Sequence, residues 1–381
     1  MMQVGTLWII MNGKMVTGGI RMKTNNPLPK YQIIYEELKE AVSEGKLSPG
    51  EKFPSEKQLM DQYGFSRQTV RKALEELSKE GYVQKVRGSG SFVRKPLATI
   101  STKSNTVMFI ALFAQHYYFS QYIGGVEKVL KENGYVLNIG ISNNRIEDEA
   151  KCLEDAIASG YAGILFLPAQ SYRIHSNLYI YKKIMKAGIP CITMGSHLPQ
   201  AGIPCVAVDD FEGGRMATDY LIRRGHRDIA CIMNRAESCG CLRYSGYLSA
   251  LDSAGIEPKE DRILWYEYEE FDRFMADEEK LLACLSQVTA VFCFNDEMAL
   301  GVINFLREHD IQVPGDVSVI GFDDSYLCRI SDIKITSVRQ DPFEMGEKAA
   351  GNLLQLMKNP HFSASYFYEP TIEERETVRD L

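Results

Sequence analysis

The 381-residue chain lacks any apolar run long enough to cross a bilayer; its longer uncharged apolar stretches, such as 163–167 and 290–294, are strand-sized. It also lacks a Cys-x-x-Cys pair, and its nine cysteines stand singly apart from Cys239 and Cys241. An odd count without framework spacing excludes a disulfide scaffold and places the chain in a reducing, cytoplasmic setting. Cys191, Cys231 and Cys293 lie inside apolar runs, where a thiol behaves as a small hydrophobe. No basic segment precedes the apolar stretch 4–11 and no A-x-A-like site follows it, so no signal peptide is expected. The six histidines are scattered and none sits in an H-x-x-x-H or nucleophile-elbow pattern, so no metal and no cofactor is expected. With 30 Gly and 14 Pro the chain is neither collagen-like nor disordered over most of its length. What remains is a folded protein, 45% apolar and 24% charged, long enough for two or three domains.

The net charge of -7 is unevenly spread. Residues 27–96 carry 13 Lys and Arg against 10 Asp and Glu, whereas 97–381 carry 27 against 40. A small basic region ahead of a large acidic body implies two jobs, one of which faces a polyanion. Pro, Thr, Ser and Asn cluster without apolar period near 96–105, which marks 97–105 as a linker. Residues 1–26 are expected to be disordered or a non-native extension, with Met22 as the natural start. The chain then divides into a domain over 27–96 and a larger one over 106–381.

In the first domain Tyr31, Ile34, Leu38, Ala41 and Val42 form a stripe at helical spacing that Gly45 and Pro49-Gly50 end. Ser55 caps a second helix, Gly64 breaks it, and Ser66 caps a third whose Val70, Ala73, Leu74 and Leu77 face inward. That third helix opens with Arg67, Gln68, Thr69 and Arg71, a set of guanidinium, amide and hydroxyl donors that a major groove accepts. Two short strands follow, 82–86 and 91–93, joined by Arg87-Gly88-Ser89-Gly90, a hairpin whose glycines permit close backbone approach to a phosphate. The order of parts is a winged helix-turn-helix. The runs Pro54-Ser55-Glu56-Lys57-Gln58-Leu59, Ser66-Arg67-Gln68-Thr69-Val70-Arg71 and Gly88-Ser89-Gly90-Ser91-Phe92-Val93 resemble the DNA-binding domain of the GntR family along its whole length. The resemblance implies that Lys57, Ser66, Arg67, Gln68, Thr69, Arg71, Gly88 and Gly90 face double-stranded operator DNA. Lys57 stands where relatives more often carry Arg, so it fits a phosphate better than a base.

From Asn105 onward apolar strands alternate with amphipathic helices in two series, the first over 106–208 and the second from 229 to 322. Two such sets make a two-lobed α/β body, and open parallel sheets bind ligands beyond the carboxyl ends of their strands. Asn295-Asp296, Asp323-Asp324, Arg243 and the aromatics Tyr117, Tyr118 and Phe119 stand at those ends. Carboxylates accepting from hydroxyls, a donating Arg and aromatic faces are the groups that hold a polyhydroxylated ligand, although a strand-terminal Asp also serves as a helix cap. The segments 294–301, 313–325 and 335–340, with Gly213-Gly214-Arg215 and 243–246, are similar to the effector domain of the LacI/GalR repressors and periplasmic sugar-binding proteins. That resemblance spans 105–381. It implies Arg243, Asp296 and Gln340 as effector contacts, joined by Asp323, Tyr118 and Phe119, and hinge strands near His226, Ser337 and within the last thirty residues.

A GntR-type head on a LacI-type body resembles the family of arabinose-responsive repressors of Gram-positive bacteria nearly end to end, including Leu28-Pro29-Lys30-Tyr31. It implies a homodimeric repressor of sugar-utilisation genes, released from DNA by a pentose, with L-arabinose the expected effector. A sugar-binding protein that does not bind DNA is contradicted by the attached head. An enzyme using Asp296 or Asp323 as base lacks a neighbouring acid, a metal cluster or a phosphate-cradling loop.

Overall fold

The stripes and runs of the sequence resolve into the expected elements in a computed structural model, which describes residues 7–11, 14–18, 29–43, 46–47, 50–79, 82–86, 90–93, 104–114, 117–173 and 177–381. The chain divides into two compact units, 1–103 and 104–381. Within residues 1–26, the β-prone runs Leu7–Met11 (β1) and Lys14–Gly18 (β2) pair as an antiparallel hairpin. The wing tip with Gly88 and most of the expected linker lie outside the described residues.

Three helices, Lys30–Ser43 (α1), Glu56–Tyr63 (α2) and Arg67–Lys79 (α3), build the head. Ile34, Leu38, Ala41 and Val42 of α1 bury against Leu59 of α2 and Val70, Ala73, Leu74 and Leu77 of α3. Helix α2 is fixed at both ends. Ser55 and Gln58 form a reciprocal capping box at the start of α2, which contributes about 0.5–2 kcal/mol. Gly64 closes the helix at φ 65°, a left-handed conformation that costs glycine nothing, and donates its N–H to the Met60 carbonyl at 2.9 Å. Val83–Val86 (β3) and Gly90–Val93 (β4) pair antiparallel, and residues 50–53 hydrogen-bond to β4 on its other edge.

The body is two lobes with one plan. Lobe 1 runs Thr106–Ala111 (β5), Phe119–Glu132 (α4), Val136–Ile141 (β6), Ile146–Ala158 (α5), Gly163–Phe166 (β7), Leu178–Lys186 (α6), Cys191–Met194 (β8) and Cys205–Val208 (β9). Lobe 2 runs Asp210–Arg223 (α7), Ile229–Asn234 (β10), Ser238–Ser253 (α8), Ile263–Tyr266 (β11), Phe271–Met275 (α9), Glu278–Leu285 (α10), Ala290–Cys293 (β12), Asp296–Glu308 (α11), Ser318–Asp323 (β13), Leu327–Ile330 (α12) and Thr336–Arg339 (β14). Pro342–Lys358 (α13) and Tyr366–Tyr368 (β15) then return to lobe 1, and Thr371–Glu373 (β16) to lobe 2. The sheet orders, β6-β5-β7-β8-β9-β15 and β11-β10-β12-β13-β14-β16, are the same topology twice. All neighbours are parallel except β14 and β16. In each sheet the order reverses between the first and third strands, and the crevice beyond their carboxyl ends is where such folds take ligands.

The chain crosses between lobes three times, at 208–210, 339–342 and 368–371. The expectation for the last thirty residues is met, Ser337 falls just ahead of the second crossing, and the assignment near His226 is corrected. His226 is fully buried behind lobe 2, its ring nitrogens 2.9 Å from Thr289 Oγ1 and 3.1 Å from the Arg379 carbonyl, so it pins the carboxyl-terminal tail instead of hinging.

Candidate functional site

The head presents its polar residues on the opening turn of α3. Arg67, Gln68 and Arg71 are exposed, as are Lys57 on α2 and Ser66. Ser66 Oγ accepts from the Thr69 N–H at 3.3 Å and lies 2.9 Å from Thr69 Oγ1, so these two side chains cap the helix and hold its first turn. Glu56 was not identified from sequence. Its carboxylate meets Arg67 Nε at 2.9 Å and Arg71 Nε at 3.5 Å, and thereby joins α2 to the two guanidiniums. Such exposed pairs are worth at most about 1 kcal/mol, so they orient the arginines without withholding them from a phosphate or a base. A groove beside α3 is lined by Lys30, Tyr31, Gln68, Thr69, Arg71 and Lys72 together with Glu75 and Glu76, and the Lys72 ammonium lies 4.1 Å from the Tyr31 ring centroid. Gly90 opens β4 opposite Val86; Gly88 lies outside the described residues.

In the body, a cavity lies between the lobes where the two switch points face each other. Lobe 1 contributes Leu112, Tyr118, Phe119, Leu167 and Ser196, and lobe 2 contributes Glu237, Arg243, Tyr268, Phe294, Asn295 and Asp323, with Gln340 on the second crossing. Arg243, Asp323, Gln340, Tyr118 and Phe119 therefore line one cavity. Arg243 is 4% exposed on α8; its Nε donates to Asp210 Oδ1 at 2.8 Å, its Nη1 to the Phe294 carbonyl at 2.5 Å, and its plane lies 3.5 Å from the Phe322 ring centroid. Asp323 ends β13 at φ 112°, followed by Asp324 at φ 51°. Consecutive positive φ values in non-glycine residues are uncommon and cluster at functional sites. The Asp323 carboxylate accepts from the Tyr117 hydroxyl at 2.8 Å and from Gln340 Nε2 at 2.6 Å, which ties lobe 1, lobe 2 and a crossing segment to one group.

Asp296 is the exception. It is fully buried at the start of α11 and does not line the cavity. Its Oδ2 accepts from the Ser325 N–H at 2.7 Å and its Oδ1 from the Ser337 hydroxyl at 2.6 Å, so the carboxylate is spent on the loop after β13 and on β14. Its neighbour Asn295 takes the place expected of it, capping α11 through the Met298 N–H while lining the cavity. Burial and then the charge of Asp323 push the Asp296 carboxyl up to about 7, against the Ser337 and Ser325 hydrogen bonds that lower it. Asp210 was also missed. Burial raises it to about 6 despite the Arg243 guanidinium beside it. It follows the strand 205–208 as Asp296 and Asp323 follow theirs, so the same strand-end rule reaches it. Glu237, in the connection from β10 to α8, carried no motif.

The lobes are closed on the cavity. The cavity's volume is about 50 Å³, room for a few waters. Beyond the cavity the lobes also meet directly. Arg173 reaches Glu267 at 3.2 Å, Asn144 Nδ2 reaches Glu269 at 3.4 Å, the Tyr172 N–H donates to the Ala236 carbonyl, and Ser171 meets Ser238. No His, Cys, Asp and Glu group that could hold a metal is present among the described residues, and none of their helices is long and apolar enough to cross a membrane.

Comparison with known proteins places these parts. The model for bacterial regulatory proteins of the gntR family matches residues 30–93, and that for a periplasmic binding protein-like domain matches 218–378. An arabinose metabolism transcriptional repressor of Geobacillus stearothermophilus is 30% identical over 359 residues, 93% of this chain and 99% of that one. A repressor of the same description from Halalkalibacterium halodurans is 29% identical over 92% of this chain and 97% of its own. Among solved structures, the CelR regulator in complex with cellobiose aligns with TM-score 0.63 at 27% identity, covering 82% of this chain and 90% of that one. The regulator CcpA of Lactococcus lactis shares the fold, with TM-score 0.65 at 24% identity over 72% of this chain and 100% of its own. The fold and the two sites thus define a class, the transcriptional regulators with a GntR-type DNA reader and a periplasmic-binding-protein-like, LacI-type sensor. Within that class the chain belongs to the family of the arabinose metabolism transcriptional repressors.

Proposed function

We propose that this protein is a cytoplasmic repressor of sugar-utilisation genes that binds operator DNA as a homodimer and leaves it when a pentose, L-arabinose, closes the sensor. The observation that carries this reading is the convergence of Arg243, Asn295, Asp323 and Gln340 on one cavity at the mutual switch point of two lobes. A sugar ring in that cavity presents hydroxyls to Asp323 and Asn295 and its C–H edges to Phe119, Tyr268 and Phe294. Residues 27–96 act as the reader, with Arg67, Gln68, Thr69 and Arg71 at base edges and phosphates, Lys57 at a phosphate, Ser66 holding the turn, and Gly88 and Gly90 in the wing. L-arabinose is supported by the two arabinose metabolism repressors.

The coupling is thermodynamic. Sugar weakens operator binding only by as much as it prefers the closed lobes, and a hundredfold loss of DNA affinity needs about 2.7 kcal/mol of coupling. The decisive experiment is a gel-shift titration on DNA upstream of the gene itself and of neighbouring sugar genes, with and without L-arabinose, D-xylose and D-galactose. Release by L-arabinose, with the sugar recovered unchanged, is the expected result; retention on DNA with every sugar defeats the reading.

A further inference from the structure

The charges around the cavity restrict what it can hold. Among the described residues lining it, Arg243 is the single cation, while Asp323 and Glu237 are both carboxylates. Arg243 comes to the cavity already engaged. Its Nε edge is taken by Asp210, its Nη1 by the Phe294 carbonyl, and one face of the guanidinium is covered by the Phe322 ring. The side chains of Arg243 and Asp210 are 5% and 4% exposed, so that pair enters the cavity's electrostatics as a nearly neutral unit. A sugar phosphate or a sugar carboxylate needs the opposite arrangement, a surplus cation offering two parallel N–H groups to two anionic oxygens. Glu237 is 8% exposed in the connection from β10 to α8, with Cys239 Sγ 3.4 Å from its Oε2. The low-dielectric walls that surround it strengthen its repulsion of any anion that enters.

We infer that the pocket selects uncharged sugars and rejects sugar phosphates and sugar acids, and that Glu237 is the residue that sets this selectivity. The inference rests on the sugar-sensing reading above and deepens it. An uncharged ring offers hydroxyl donors, which Glu237 and Asp323 accept as charge-assisted hydrogen bonds. A phosphate or carboxylate on the same ring brings only acceptors to those two groups and a charge of the same sign.

The test is isothermal titration calorimetry on the full-length protein with L-arabinose, D-xylose, D-galactose and D-glucose, and with D-galacturonate, D-glucuronate, D-ribose 5-phosphate and D-glucose 6-phosphate. We expect every anion to bind at least a hundredfold more weakly than the tightest uncharged sugar. Glu237→Gln should shrink that ratio at least tenfold, losing affinity for the neutral ligand and gaining it for the anion, whereas Glu237→Asp, which keeps the charge, should preserve it. An anion as the tightest ligand overturns the inference and leaves a sugar sensor standing, whereas no heat from any of the eight compounds removes the sugar-sensing reading itself. If the ratio is the same in wild type and a folded Glu237→Gln, Glu237 is not the selector. The wild-type comparison does not depend on either variant folding.

Discussion

Asp296 stands one residue from the cavity and spends its carboxylate inside the protein, so its replacement should be felt first as stability. Burial raises Asp210 to about 6 and Asp296 to about 7, above the value of about 3.9 for an unfolded Asp. The folded chain therefore binds more protons than the unfolded chain between those limits. The contribution of these two groups to stability is full at the acidic end and is lost as pH rises through the folded values. Thermal unfolding followed from pH 5 to pH 8 should show Asp296→Asn with a flatter fall in Tm than wild type, because the amide can still accept from Ser325 and donate to Ser337. Equal slopes would show that the carboxyl ionises freely. Asp323→Ala should behave differently, abolishing the response to sugar in the gel shift while leaving DNA affinity without sugar near wild type. On the head, Arg67→Ala should cost about 1–3 kcal/mol of operator binding, and wild-type affinity in the same titration would remove that residue from the interface. Arg243 and Asp323, which line the cavity, stand out in the sequence as an early helix position and a strand end, whereas Gln340 was pointed to by the family resemblance alone. Asp296 and Asn295 are adjacent, and the turn into α11 decides which side chain caps the helix and lines the cavity.

At the scale of elements, the site depends on how closely α7 and α8 pack, since Asp210 opens one and Arg243 lies in the other. Gly214 and Gly246 allow the approach. A Cβ at Gly214 would stand 2.1 Å from the Arg243 carbonyl, and one at Gly246 2.1 Å from that of Phe211. Backbone on both sides leaves no flexible side chain to yield. Gly246→Ala should cost on the order of 1–3 kcal/mol or more of stability and weaken sugar binding beyond that of an equally destabilised variant elsewhere, measured by denaturant unfolding beside calorimetry. The elements themselves were largely legible: the strands Cys191–Met194 and Cys205–Val208 coincide with uncharged apolar runs inside the first series. The four-residue β11, Ile-Leu-Trp-Tyr, was not read, because it is an edge strand closely flanked by acidic residues. β15 and β16 were not read either. Both are three residues long, and what makes them strands is pairing with partners more than thirty positions away.

The whole molecule adds what neither residues nor elements supply, a balance between open and closed sensor. Glu267 is held by both Arg173 of lobe 1 and Arg235 of lobe 2, at the edge where the lobes meet. Exposed pairs of this kind are worth up to about 1 kcal/mol. Arg173→Ala should therefore weaken sugar binding by up to about fivefold without any contact to the sugar, and calorimetry in high salt should narrow the difference from wild type. The net charge of -7 conceals a division of the same kind, since the acidic excess lies in the sensor and the basic excess in the reader.

The three crossings between lobes have one more consequence, for synthesis. The face of the lobe 1 sheet that carries Val107, Leu165, Ile192 and Val206 is covered by Met345, Ala349, Ala350 and Leu353 of α13. The chain thus makes the sheet of lobe 1 first and the helix that seals it only after nearly all of lobe 2. At about 5–20 residues per second, the nascent sensor carries an apolar face covered only in part, by α4, for about 7–30 s, while the reader, made first, can already fold. A transcript interrupted before Pro342 would accordingly yield a reader tethered to a sensor that can neither close nor bury its core.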